Sequence, residues 1–141
     1  MENTPCSAYE QVGGVVYFAR MLDKIRLHSN RQLPDPYLEF LGAGFDGRCC
    51  SYLEVDYDAL RHRTLLGGAN EEILEWCFQN GRRLSQIDIL VWNGFAAKRG
   101  WRDGDAVTAV LQGFKEQARF GDRDDIMTFF DYYDLDEGRT L

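Results

Sequence analysis

Charged side chains at helical spacing are the first places in this sequence where chemistry could be done. Asp23 and Arg26 lie three residues apart, so on a helix a carboxylate and a guanidinium share one side. Leu22 and Ser29 are the helical neighbours of Arg26, which turns it toward the apolar side of that helix. One reading is a partly buried ion pair that ties the helix to a neighbour. The other is that Arg26 binds a carboxylate or phosphate in a cleft while Asp23 orients it, a task suited to the two parallel donors of a guanidinium. Arg48 is a further candidate, because it follows Gly42-Ala43-Gly44-Phe45-Asp46-Gly47. A glycine-rich turn entering a helix can turn backbone N–H groups toward an anion. The Gly-Lys-Ser/Thr ending of a phosphate loop is missing, so a tight turn needing positive φ is the simpler account. Asn93 stands in an apolar helix and must find partners there, either backbone or ligand. Arg99 and Lys98 close that helix, where cations already complement the dipole.

Nucleophilic constellations are thin. The two histidines, His28 and His62, leave a Cys49–His62 pair or a Cys77–His pair as the only dyads to weigh, and a buried cysteine more often serves as a small hydrophobe. There is no H-E-x-x-H, G-x-S-x-G or dinucleotide fingerprint. The acidic run Asp131 to Gly138 invites a calcium reading but fails on spacing, since counted from Asp134 glycine stands fifth, where an oxygen ligand is needed and glycine should be sixth. No metal or cofactor is expected.

The elements that must position these residues read as helices ended by glycine. Val15, Phe18, Leu22 and Ile25 form one stripe of a helix over about 14–31; Tyr17, Arg20, Lys24, His28 and Arg31 lie opposite and read as a solvated face. Pro34 and Pro36 stop that helix. Short helical turns follow over 37–41 and 46–54, then a helix capped by Asp56 and one capped by Asn70 that stops at Asn80-Gly81. Ser85 and Asp88 resemble a capping box. The helix they open, to Arg99, is apolar almost all round and so is expected to be central and buried, with Trp92 as a core anchor. A helix near 104–120 comes next, and Asp122 and Asp125 open the last one. No strand pattern of useful length is present. The expectation is an all-α, single-domain orthogonal array of about six short helices over 1–141, with 1–12 a loosely ordered segment.

The composition agrees with a packed domain: 45% of residues are hydrophobic and 13% aromatic. The net charge of −7, from 23 acids and 16 bases, disfavours nucleic-acid binding. Met1-Glu2-Asn3-Thr4-Pro5 is no secretory signal, and no apolar stretch approaches the roughly 20 residues of a membrane span. Four cysteines without C-x-x-C spacing suit reduced thiols in a cytoplasm.

Several segments together resemble a family of short bacterial proteins, the domain of unknown function 5069: Ala19–His28, Gly44–Cys49, Glu75–Arg83, Trp92–Phe95, Lys98–Trp101 and Arg123–Asp131. The resemblance spans nearly the whole chain and implies a bacterial, non-secreted, helical protein. It brings no activity or catalytic residue, and it adds interest to Asp23, Arg26, Arg48, Asn93 and Arg99, which fall inside those segments. The leading expectation is a helical binding or interaction domain without catalysis, as a homo-oligomer or with a protein partner. The alternative is a site for a small anionic metabolite in which Asp23, Arg26 and Arg48 converge.

Overall fold

A computed structural model describes residues 3–141 and is mostly helical. Its elements are a small hairpin, β1 (Gln11–Val12) and β2 (Val15–Val16), then helices α1 (Phe18–Ser29), α2 (Phe45–Leu53), α3 (Tyr57–Leu65), α4 (Asn70–Asn80), α5 (Gln86–Lys98), α6 (Asp105–Gln117) and α7 (Phe129–Asp136), with a 3-10 turn over Asp35–Phe40 between α1 and α2. The two strands pair antiparallel, Gln11 with Val16 and Val12 with Val15. Two residues per strand are too few to show alternation, so the hairpin has no sequence signal.

α1 is the centre of the core. α3 and β1 pack on it; α2 and α4 flank α3; α5 lies on β2 and α7, and α6 closes on α7. Phe18, Met21, Leu22 and Ile25 are fully buried, and so are Leu60 of α3, Ile73 of α4 and Phe130 of α7. Of the segment 1–12, residues 1 and 2 lie outside the described residues. The remainder packs on the body: Ala8 and Val12 are buried in the core, and the Cys6 N–H donates to the Asp23 carboxylate at 3.1 Å.

Local chemistry explains where the helices start. The Asp56 carboxylate accepts the Ala59 N–H at 3.0 Å, and Ser85 and Asp88 form the expected box, at 3.2 and 2.9 Å. The last helix begins later than Asp122 and Asp125 suggest. Asp125 is taken by Arg123, and Thr128 caps instead, accepting the Asp131 N–H at 3.1 Å. Gly81 turns the chain with no room for a side chain: an added Cβ would stand 2.1 Å from the Leu53 carbonyl oxygen.

Two expectations about faces are corrected. Tyr17, Arg20 and Lys24, read as solvated, are each only 3% exposed, because α1 is wrapped on every side and its cations find carboxylates inside. His28 and Arg31 alone of that face are exposed. Conversely α5, read as buried all round, covers the hairpin with one face only. Ile87, Leu90 and Val91 are 61%, 67% and 55% exposed.

The buried face of α5 clamps the hairpin with side-chain hydrogen bonds. The Trp92 indole N–H donates to the Val16 carbonyl at 3.0 Å. Asn93 accepts the Val16 N–H at 3.1 Å and donates to the Gly14 carbonyl at 2.8 Å. Asn93 therefore meets backbone groups at the end of the hairpin, as the backbone reading of it expects. Asn93→Ala should destabilise the protein by about 1–3 kcal/mol by leaving both groups unmet; urea unfolding measures it, and a neutral substitution would show the clamp to be dispensable.

Candidate functional site

The site is built on the buried cations of α1. Lys24 Nζ donates to Asp46 Oδ1 at 3.0 Å and to the Tyr17 hydroxyl at 3.3 Å, and that hydroxyl donates to the same carboxylate oxygen at 2.6 Å. The other oxygen of Asp46 accepts the Gly42 N–H at 3.0 Å. One turn away, Arg20 grips Glu137 with two parallel bonds of 2.8 and 2.7 Å, and the Tyr37 hydroxyl donates to Glu137 at 2.6 Å. The guanidinium also lies 4.8 Å from the centre of the Tyr133 ring.

These two clusters border a cavity of about 520 Å³. Phe40 of the 3-10 turn, Phe45 of α2, Val107, Val110 and Phe114 of α6, and Phe129, Tyr132 and Tyr133 of α7 form its walls. The rings are mutually braced: Phe114 stacks on Tyr132 with centroids 5.6 Å apart and meets Phe129 edge-on at 6.0 Å. Arg48 and Arg99 line the same space, as do the carboxylates of Glu39 and Asp136.

Burial sets the electrostatics. It pushes the Lys24 amine below its ordinary pKa, against the pull of Asp46, and the neighbouring Arg20 adds to the fall. Burial and the adjacent Asp46 charge hold the Tyr17 hydroxyl well above its usual range, so it remains a donor. Burial works against the charge of Glu137, yet the Arg20 bonds override it and hold the carboxyl below its ordinary value. Backbone strain is also placed here. Tyr17 has φ 73, a left-handed conformation disfavoured for a bulky side chain, and its backbone N–H is fixed on the Ala8 carbonyl at 2.8 Å.

The arrangement thus offers an apolar, aromatic space over a polar floor with a desolvated amine. Residues 2–139 match the model of a family described as a domain of unknown function, DUF5069. The chain belongs to that family. No curated protein matches it. Among the described residues no helix is long and apolar enough to cross a membrane, and no group of three or more His, Cys, Asp and Glu could hold a metal ion.

Within this family member, the residues singled out from sequence are dispersed. Arg48 and Arg99 both line the cavity. The Arg48 guanidinium makes no hydrogen bond or ion pair with any described residue, whereas Arg99 pairs with Asp103 at 3.0 Å. Asp23 and Arg26 do not reach the cavity: they face each other at 3.5 Å, Arg26 donates to Asn70 at 2.8 Å, and Asp23 holds the Cys6 N–H. The expected convergence of Asp23, Arg26 and Arg48 is therefore not formed. Cys49 and Cys77 are buried, which raises their thiols, Cys77 to about 12, so both stay protonated and are poor nucleophiles; His62 is exposed.

Tyr17, Arg20, Lys24, Asp46 and Glu137 were not singled out. A signal for the first three was present: from Val15 to Ile25 the chain is apolar on nearly every side, so a helix there is buried together with its cations. The pairing makes a pH prediction. Because the folded pKa of Glu137 lies below its ordinary 4.5, its stabilisation is complete above about pH 4.5 and is lost as the pH falls through the depressed value. Glu137→Gln should lower the melting temperature at pH 7 and flatten its fall between pH 5 and 3, measured by calorimetry against the wild type.

Proposed function

We propose that this domain binds a small organic acid with an aromatic or branched apolar body, without turning it over. The observation that carries the reading is Arg48: its guanidinium borders an aromatic-walled cavity with no partner among the described residues. The other three cations of the lining each have a carboxylate, Glu137 for Arg20, Asp46 for Lys24 and Asp103 for Arg99. A cavity of about 520 Å³ lies within the range of roughly 300–1,000 Å³ that suits a small ligand. Glu39 and Asp136 repel an acid, so its charge belongs beside Arg48 and its body against Phe45, Phe114 and Phe129. The proposal sets the protein in a reducing bacterial cytoplasm, which suits its four free thiols.

Thermal-shift measurements with aromatic and branched carboxylates, beside the matching amides, test this. An acid at 100 times its Kd stabilises by about 2.7 kcal/mol, a shift on the order of 10 °C for a domain of this size. Arg48→Ala should weaken the acids and spare the amides. Val110→Trp, at an exposed position of the cavity wall, should abolish both while the free protein stays folded. A flat response to every acid overturns the reading.

A second reading, association of two copies through α5, has its own observation. Ile87, Leu90 and Val91 form an exposed apolar stripe with Gly94, beside which a side chain would meet nothing. A two-fold dimer packs such a stripe on itself, with the glycine admitting close approach. Light scattering at rising concentration should give a dimer mass that Leu90→Glu returns to a monomer; a monomer at all concentrations ends this reading.

A further inference from the structure

We infer that Lys24 is an imine-forming amine, and that the ligands of the cavity include 2-oxo acids with an aromatic body, captured covalently and reversibly through their carbonyl carbon. This rests on the reading of the cavity as a small-acid site and adds the chemistry at its floor.

The geometry carries it. Lys24 is a buried lysine, 3% exposed, and is one of the residues that line the aromatic-walled cavity. Asp46 Oδ1, at 3.0 Å from Nζ, is placed to take the ammonium proton and expose the nitrogen lone pair. The Tyr17 hydroxyl, at 3.3 Å from Nζ, accepts from the amine and donates to the same Asp46 oxygen at 2.6 Å, so it joins the two groups between which the proton moves. The cation of Arg20 one turn away and the desolvation of the site both favour the neutral amine. Arg48 then meets the carboxylate, which a bare ketone lacks.

The step balances without an outside reagent. The Nζ lone pair forms a bond to the carbonyl carbon, and the carbonyl π pair moves to oxygen, which takes up a proton. That proton comes from the nitrogen, and the resulting carbinolamine hydroxyl takes one more, the proton Asp46 received from the ammonium, and leaves as water, while the nitrogen lone pair closes the C=N bond and the nitrogen keeps its remaining hydrogen. A protonated imine keeps a positive charge opposite Asp46, so the buried carboxylate retains its counter-ion before and after capture. A structural Lys24–Asp46 pair would have no need of a cavity against it or of a donor beside it.

The test uses the whole chain with phenylpyruvate and cyanoborohydride, followed by intact mass and peptide mapping. The other lysines, Lys98 and Lys115, serve as internal controls, and Lys98 is exposed. The expected result is one adduct, on Lys24. It should form about tenfold more slowly or worse in Arg48→Ala, the loss expected for one charged hydrogen bond. Lys24→Arg, which keeps a cation for Asp46 and cannot form an imine, should give none. Thermal shift with phenylpyruvate alone runs in parallel. A shift without an adduct on Lys24, or an adduct spread over Lys98, overturns the imine and leaves the binding site standing; neither shift nor adduct overturns both.

Discussion

Two cations inside the protein govern the rest of the structure. Burying an unpaired ammonium or guanidinium costs several kcal/mol, on the order of the desolvation penalty per ion, so where α1 is buried a carboxylate is brought to Arg20 and another to Lys24. Asp46 arrives on the first turn of α2, and Glu137 at the end of α7. The placement of α2 and α7 against α1 is thereby fixed by charge as well as by apolar contact. The cavity lies beside the same two pairs, with Tyr133 packed on the Arg20 guanidinium and the other aromatic rings forming the walls.

The floor is connected to elements far from it. Asn93 and Trp92 hold both backbone groups of Val16, and the next residue is Tyr17, whose left-handed backbone swings its hydroxyl onto Asp46. The route from α5 through the hairpin to Lys24 is a chain of hydrogen bonds with defined geometry. The small sheet is in this sense a bracket, and its two residues per strand suffice because α5 supplies the bonds that further strands would have made.

What could be read in the sequence was what is decided within a few residues. The caps at Asp56 and Ser85, the stop at Gly81 and the approximate course of all the long helices depend on local hydrogen bonds and on the absence of a side chain, and they were legible. Arg48, which follows a glycine turn, and Arg99, which closes an apolar helix, both line the cavity. The rest depends on partners distant along the chain. Arg20 and Lys24 at helical spacing look like a wet surface unless Asp46 and Glu137 are known to lie opposite, and those stand 22 and 117 residues away. Asp23 and Arg26 form the ion pair that their spacing allows, and their further bonds go to Cys6 and Asn70, away from the cavity. In α5 the apolar pattern ran all round the helix, and periodicity cannot say which half the hairpin covers.

The separation of Arg20 from Glu137 bears on how the chain is made. A ribosome delivers α1 early and α7 late, and chains are extended at only about 5–20 residues per second. Over that interval the guanidinium of the central helix is without the carboxylate it meets in the folded protein, and the pair that joins α1 to the end of α7 can close only once that glutamate has been added.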